Sequence, residues 1–245
     1  MLSLEQAMIF AAGLGTRLRP LTGNLPKALV EIGGKTMIER VIEKLKAHGV
    51  QRIVINLHHF PDLIRSFVKE KNDFGIEILF SDESDLLLDT GGGLKKAASL
   101  FDQSKPILIH NVDVFSGLDL NEILDYHMKR KALATLFVQK RQSSRYFLFD
   151  ESLRLTGWRN LATREEIIPL NPHDELTELA FNGIHIINPE LLELIDEDGK
   201  FSIVQVYLRL SASRRIIGFR NDRVPYVDIG KPESLMEAEK LLFLV

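Results

Sequence analysis

The 245-residue sequence contains no cysteine, which excludes a disulfide-rich secreted scaffold, a thiol nucleophile and a cysteine metal site. It also lacks a strong charge of either sign, since the net charge of −3 provides no basic field for nucleic acid. No apolar run approaches the ~18 residues that span a bilayer, and the first residues lack the basic region of a signal peptide. These absences predict a cytoplasmic protein that has neither nucleic acid nor a membrane as a partner.

The first half of the sequence alternates short apolar runs with helical patterns. A buried-strand pattern at 7–11 precedes a helical pattern over 36–48, where Thr36 and Glu39 form a capping box. Three further strand–helix pairs follow: 52–56 with 61–71, 76–80 with 93–100, and 106–111 with 120–131. Strands that alternate with helices of this length predict βαβ units, a parallel sheet and an α/β fold.

The second half has a different pattern, in which short strands follow one another. Strands are predicted at 133–140, 145–149, 154–158, 179–187, 216–220 and 225–228, and helices at 189–196, 203–210 and 232–243. No linker or repeat separates the two halves. We therefore predict one domain over 1–245, with a mixed extension of the same sheet.

A glycine-rich loop follows the first strand. Gly13 and Gly15 allow backbone N–H groups to approach a phosphate without an intervening Cβ atom. The dinucleotide fingerprint requires a third glycine where Leu18 stands, and a Walker A motif requires glycine at Leu29. The loop therefore matches neither of these phosphate-binding motifs.

The same loop carries Arg17, Arg19 and Lys27, and these cations suit a polyanionic phosphate ligand. The segments GLGTRLRPLT at 13–22 and PKAL at 26–29 resemble the opening motif of the sugar nucleotidyltransferases. The resemblance implies a Rossmann-like three-layer α/β/α fold of the nucleotide-diphospho-sugar transferase type. It also implies that residues 1–131 bind the nucleotide and that 132–245 bind the sugar and supply a second metal ligand.

This resemblance assigns roles within the loop. Arg17 and Lys27 are the expected catalytic residues, where Arg17 grips the triphosphate and Lys27 contacts the phosphates around the reacting centre. The other residues of the loop expected to contact the nucleotide are Ala11, Ala12, Gly13, Gly15 and Thr16.

A second glycine-rich stretch, Asp89 to Gly93, precedes a predicted helix. Three consecutive glycines suit a flat ligand lying against the backbone, although a flexible helix entry would also explain them. The resemblance favours the first interpretation, with Gly91 and Gly92 against the nucleobase. Members that act on N-acetylmuramate 1-phosphate have the most similar segment, so uridine is the expected base.

Two aspartates end predicted strands, at Asp113 and Asp228. Ligands of open α/β sheets bind at the carboxyl ends of strands, and Mg²⁺ prefers one or two carboxylates. A turn residue or a helix N-cap would be an alternative role for each. The segments at 111–113 and 227–230 resemble family motifs, which implies that the two aspartates bind Mg²⁺ and that Asn111 contacts the nucleotide.

On the acceptor side, Asn182 and Gly183 resemble the family's sugar-binding pair, so we expect them to contact the sugar. The chain departs from the family at Arg159, where the resemblance leads us to expect a sugar-binding glutamate. We expect Arg159 to contact the sugar, which suits an acidic acceptor, with the segment 160–177 as a candidate lid. His127 lies in a polar helix, so we expect it to be solvated.

The predicted reaction joins an NTP to a sugar 1-phosphate with Mg²⁺ and releases pyrophosphate, with UTP and an N-acetylmuramate-type sugar 1-phosphate as expected substrates. The alternatives are guanylyl, cytidylyl or thymidylyl transfer to another hexose or heptose 1-phosphate, and a non-catalytic regulator that binds nucleotide sugars. The chain is expected to be a monomer or a small homo-oligomer.

Overall fold

The computed structural model describes residues 4–169, 175–230 and 232–242. Its strands, in chain order, are β1 (Gln6–Phe10), β2 (Glu31–Ile32), β3 (Lys35–Thr36), β4 (Arg52–Leu57), β5 (Glu77–Asp82), β6 (Ile107–Asn111), β7 (Val114–Ser116), β8 (Ala134–Gln139), β9 (Arg145–Phe149), β10 (Leu155–Asn160), β11 (Glu165–Ile167), β12 (Thr177–Ile187), β13 (Ile216–Arg220) and β14 (Tyr226–Asp228). The α-helices are α1 (Met37–Ala47), α2 (Pro61–Glu70), α3 (Asp89–Ala97), α4 (Leu120–Arg130), α5 (Glu190–Glu193), α6 (Ile203–Ser211) and α7 (Pro232–Leu242).

Ten strands form one mixed sheet. Its order is β11-β10-β9-β12-β6-β1-β4-β5, and β8 pairs with β12 and β13. The central strands β6, β1, β4 and β5 are parallel, whereas β12 runs antiparallel to β6, β8 and β9. The predicted α/β class with a mostly parallel, mixed central sheet is confirmed. Strand β12 joins strands from both predicted parts of the chain, whose separate roles stay a prediction.

The apolar strand residues alternate between two cores, one on each face of the sheet. In β1, Ile9 belongs to one core, and Met8 and Phe10 belong to the other. Side chains of α1, α2 and α4 cover the first face, and those of α3, α5 and α6 cover the second. Because successive strand residues point to opposite faces, near-continuous apolar strands require helices on both sides. The predicted three layers follow from this requirement.

Helix α1 begins where its cap predicts, because Thr36 Oγ1 accepts a hydrogen bond from the Glu39 amide at 3.2 Å. Helix α3 begins four residues before the predicted start at 93, since it includes the glycine run. Helix α5 covers only Glu190–Glu193 of the predicted 189–196. The low helix propensity of glycine led to a predicted start that is too late. Tertiary packing favours glycine within α3 and outweighs that propensity.

The expectation that His127 is solvated is wrong. Its side chain is buried between α4 and β8, and its Nδ1 lies 2.8 Å from Thr135 Oγ1. Burial lowers the pKa of His127 to about 4. The helix pattern looked polar, but this residue falls on the face that packs against the sheet.

Within the described ranges, no helix is long and apolar enough to cross a membrane. The candidate lid at 160–177 lies partly outside the described residues, which exclude 170–174. The part that precedes the gap contains β11, which pairs antiparallel with β10.

Candidate active site

A cavity of about 430 Å³ opens at the carboxyl ends of the central strands. Its volume falls within the range of small-molecule sites, and its position is the one expected for ligands of an open α/β sheet. Its wall includes Phe10 to Arg17, Lys27, Asn56, Glu83, Leu87, Asp89, Thr90, Asn111 to Asp113, Lys200 and Gly230. The structure therefore brings together the glycine-rich loop, Arg17, Lys27, Asn111 and Asp113.

The glycine-rich loop folds back on itself at Gly15. This residue has a φ of +63°, and a Cβ atom there would lie 3.0 Å from Thr22 and 3.1 Å from Lys27. Thr22 Oγ1 donates a hydrogen bond to the Gly15 carbonyl at 2.8 Å. Glycine is required at 15 both for the left-handed backbone and for this close approach. Gly13 is different, because a Cβ atom there would meet no described atom within 4 Å.

Arg17 reaches across the cavity to the segment that follows β14. A Cβ atom on Gly230 would lie 2.6 Å from Arg17 Nη2 and 2.8 Å from Asp228 Oδ1. The guanidinium therefore packs against bare backbone beside the Asp228 carboxylate. The sequence motifs gave Gly230 no role, because this contact joins residues more than 200 positions apart in the sequence.

The two strand-end aspartates come together because β7 and β14 pair. The register places Asp228 opposite Val114, and the Ile229 amide donates to the Asp113 carbonyl at 2.8 Å. The Asp113 carboxylate forms an ion pair with Lys27, whose side chain is buried. Although Asp228 keeps an exposed surface, desolvation and the nearby Asp113 charge raise its pKa, against the opposing effects of the surrounding cations.

This donor set fits a divalent metal ion that takes further ligands from substrate. Two carboxylates of like charge face one region, and the pKa of Asp228 is raised by desolvation first and by the Asp113 charge second. Among residues 4–169, 175–230 and 232–242, no group of three or more His, Asp or Glu side chains could hold a metal ion. Mg²⁺ bound by one or two carboxylates takes its remaining ligands from phosphates and water.

Asn56 and Glu83, which no sequence motif marked, connect two strand ends beneath the cavity. Asn56 Oδ1 accepts from the Ala11 and Ala12 amides at 2.7 and 3.3 Å, and its Nδ2 donates to Glu83 Oε1 at 2.8 Å. The fully buried Glu83 also accepts from the Leu88 amide at 3.1 Å. The available signal was a polar residue at the end of each apolar strand.

Gly91 and Gly92 are not part of the cavity wall. A Cβ atom on Gly91 would lie 2.4 Å from the Phe201 ring, and one on Gly92 would lie 2.3 Å from the Gly199 carbonyl oxygen. These glycines thus allow α3 to pack tightly against the segment before α6. Their contact with a nucleobase stays a prediction.

Asn182 and Gly183 lie on β12, next to the cavity residue Asn111. Gly183 has a φ of +69°, and a Cβ atom there would lie 2.6 Å from Asn111 Nδ2. The Asn182 side chain is fully buried, and its Oδ1 accepts from Arg141 Nε at 2.8 Å. Contact between this pair and a sugar stays a prediction.

Arg159 lies on β10 and forms ion pairs with Glu166 and Glu178. Two carboxylates thus already surround its guanidinium, and Arg159 is not part of the cavity wall. Contact between Arg159 and the sugar stays a prediction.

The chain is similar to known proteins over nearly its whole length. The nucleotidyl transferase family model matches residues 6–243. N-acetylmuramate alpha-1-phosphate uridylyltransferase of Caulobacter vibrioides is 31% identical over 242 residues, which cover 96% of each chain. A mannose-1-phosphate guanyltransferase of Yarrowia lipolytica is 30% identical, over 94% of this chain and 62% of that longer one. The crystal structure of HddC from Yersinia pseudotuberculosis complexed with GMP-PN shares the fold at 24% identity, with a TM-score of 0.78 over 98% of this chain and 100% of that one. The chain belongs to the nucleotidyl transferase family.

Proposed function

We propose that this protein transfers a nucleotidyl group from UTP to an N-acetylmuramate-type sugar 1-phosphate and releases pyrophosphate. One observation carries the proposal: a single cavity edge combines a glycine-rich loop, Arg17 and Lys27 with a pair of strand-end aspartates. The general reaction, nucleotidyl transfer to a sugar 1-phosphate, is also that of the named relatives. The choice of UTP and N-acetylmuramate is supported by one relative, at 31% identity.

The reaction is an in-line displacement at the nucleotide α-phosphorus. A phosphate oxygen of the acceptor forms the new P–O bond, and the bond to the bridging oxygen of pyrophosphate breaks. The acceptor phosphate is already ionised at neutral pH, so the step needs no general base. Arg17 and Lys27 would bind the triphosphate and stabilise the negative charge that develops on the departing pyrophosphate.

Asp113 and Asp228 would hold Mg²⁺, whose bound charge offsets that of the phosphate oxygens. The ion pair between Lys27 and Asp113 gives the lysine a defined position before substrate binds. A fixed cation contributes more than a mobile one, because less rearrangement is needed in the transition state.

The base would occupy the end of the cavity formed by Asp89 and Thr90. Thr90 Oγ1 accepts from the Ile203 amide at 3.0 Å, which links this wall to α6. We place the nucleobase there, next to Gly91 and Gly92, which follow Thr90 in α3. Asn111 would contact the nucleotide from β6.

The alternative with most support is guanylyl transfer to mannose 1-phosphate. The relative named for that activity is 30% identical and matches 94% of this chain. Neither relative named above is a cytidylyl- or thymidylyltransferase. The presence of Arg17, Lys27 and the two strand-end aspartates argues against a regulator without catalysis.

A pyrophosphate-release assay tests these possibilities. Purified protein with Mg²⁺ is offered each of four NTPs with a panel of sugar 1-phosphates that includes N-acetylmuramate and mannose 1-phosphates. We expect the highest kcat/KM for UTP with N-acetylmuramate 1-phosphate. We expect no pyrophosphate release without Mg²⁺. A higher value for GTP with mannose 1-phosphate would favour the alternative, and nucleotide binding without release from any pair would favour the regulator.

A further inference from the structure

Arg141 follows β8 at the edge of the sheet that contains the cavity. Strand β12 runs antiparallel to both β6 and β8, so the carboxyl ends of β6 and β8 lie at the same edge. The partly exposed Arg141 thus emerges at the edge that also supplies Asp113, separated from β6 by β12 and just outside the wall of the cavity of about 430 Å³. It comes from the acceptor half of the chain, whereas Arg17 and Lys27 come from the nucleotide half.

The guanidinium of Arg141 is held in place by neighbouring elements. Its Nε donates to Asn182 Oδ1 at 2.8 Å, and its Nη2 donates to the Phe181 carbonyl at 2.9 Å. Its Cζ lies 4.5 Å from the centre of the Tyr226 ring, in a cation–π contact. Nη2 lies 3.4 Å from the Tyr226 hydroxyl, and Nη1 lies 3.3 Å from the Gln142 carbonyl. These contacts connect β12, which carries Asn182, with β14, which carries Asp228.

No carboxylate in the described parts of the chain lies within ion-pair distance of Arg141. Arg159, on the same half, is matched by Glu166 and Glu178. The five N–H groups of an arginine also exceed the four contacts made here. Arg141 is therefore a positioned cation with both charge and a donor available to a ligand.

Arg141 contacts residues that adjoin the reacting centre. Tyr226 stands two residues before Asp228 on β14. Asn182 precedes Gly183, which packs closely on the cavity residue Asn111. An acceptor phosphate that attacks the α-phosphorus must stand beside the carboxylates expected to bind the metal. The acceptor phosphate must also approach the anionic triphosphate, so a cation on the acceptor side reduces repulsion between like charges, and Arg is well suited to bind phosphate.

We propose that Arg141 binds the phosphate group of the sugar 1-phosphate and so determines the affinity for the acceptor. This inference rests on the proposed function, because it requires a phosphorylated acceptor. Arg141 would then hold that phosphate in line with the α-phosphorus, while Asn182 and Tyr226 keep the guanidinium oriented.

The test is a comparison of Michaelis constants in the pyrophosphate-release assay. For Arg141→Ala we expect the KM for the sugar 1-phosphate to rise about tenfold to a hundredfold, the effect of losing a hydrogen bond to a charged group. The KM for the NTP should change less than about threefold, because Arg17 and Lys27 remain. Arg141→Lys should show a smaller rise, since it keeps the charge and loses the planar fork.

Arg130→Ala is the matched control. Arg130 ends α4 and stacks on the Tyr126 ring, with its Cζ 5.3 Å from the ring centre. The control removes the same charge and the same kind of contact, and it should leave both KM values unchanged. Added guanidinium should partly restore acceptor affinity to Arg141→Ala, which a purely structural role would not allow. Thermal melting checks folding, and Arg141→Lys carries the comparison if the alanine variant unfolds.

Equal changes in both KM values, or a lower kcat with unchanged acceptor KM and no rescue, would overturn the role of Arg141 while leaving the proposed function intact. A wild-type protein that releases pyrophosphate with no substrate pair would overturn both proposals.

Discussion

At the scale of single residues, the candidate site places charges where they oppose folding. Burial and the nearby Asp113 carboxylate raise the pKa of Asp228. An acid whose pKa is higher in the folded state folds most favourably when protonated. The destabilisation caused by ionised Asp228 is therefore absent below the ordinary carboxyl pKa. It develops as the pH rises from that pKa to the higher pKa of the folded state.

We therefore expect Asp228→Asn to stabilise the metal-free protein at pH 7 while it lowers nucleotidyl transfer about a hundredfold or more. Urea unfolding and pyrophosphate release measure the two effects. Asp222→Asn is a control of opposite sign, because a hydrogen bond from Arg220 lowers the pKa of Asp222 and its ionised form favours folding. A lower free energy of unfolding for Asp228→Asn than for wild type would contradict the expectation.

Some residues of the candidate site could be found from the sequence and others could not. Asp113 and Asp228 stand at strand ends, where a carboxylate after an apolar run is visible in the sequence. Gly230 and Arg141 gain their importance from contacts with Arg17 and Asn182, which are distant along the chain. No local pattern marks such a contact.

At the scale of elements, glycines from the two glycine-rich segments have different structural roles. Gly13 lies on an open wall of the cavity, whereas Gly91 lies inside α3 with the Phe201 ring in the place of a Cβ atom. Alanine favours a helix by about 1 kcal/mol over glycine, but the overlap with Phe201 opposes that gain.

We expect Gly91→Ala to lower the free energy of unfolding by about 1–3 kcal/mol, because a well-packed site must move to accept the methyl group. Gly13→Ala should leave stability unchanged and raise the KM for the NTP about tenfold, since the methyl group would meet the phosphates. Chemical denaturation and steady-state kinetics on both variants test the pair. The reverse pattern would show that these two glycine-rich segments have been assigned the wrong roles.

The elements themselves were largely predictable where the pattern was long and regular. The capping residue Thr36 predicted the start of α1, and apolar runs predicted β1 and β6. Short strands such as β7 escaped prediction because three residues carry little periodic signal. Their pairing, rather than their composition, makes them strands.

At the scale of the whole molecule, buried histidines couple stability to pH. Burial lowers the pKa of His185 to about 3, with a smaller contribution from His110, whose own pKa burial lowers to about 4. Each is neutral in the folded protein and binds a proton more readily when unfolded. The contribution of these neutral histidines to the free energy of unfolding is complete above the ordinary histidine pKa of about 6.5. It is lost as the pH falls towards their lower pKa values in the folded state.

We expect His185→Phe to reduce the acid sensitivity of the protein. Neither ring nitrogen of His185 has a hydrogen-bond partner in the described residues, and its neighbours Phe181 and Tyr207 are aromatic. Phenylalanine should therefore change stability little at pH 7. Between about pH 6 and 4, the dependence of the free energy of unfolding on pH should become shallower by up to about 1.4 kcal/mol per pH unit. This is the slope that the binding of one proton produces. An unchanged slope in urea titrations would contradict this account.

The amino-acid sequence alone accounts for the alternation of strands and helices, the glycine-rich first loop and the two strand-end acids. These are local features, since periodicity, glycine spacing and residue type act within a few positions. Which side chains meet depends on the tertiary structure. The pairing of β7 with β14 brings Asp228 to Asp113, and contacts with β12 and β14 hold the Arg141 guanidinium, because hydrogen bonding between distant strands sets positions that local preferences leave open.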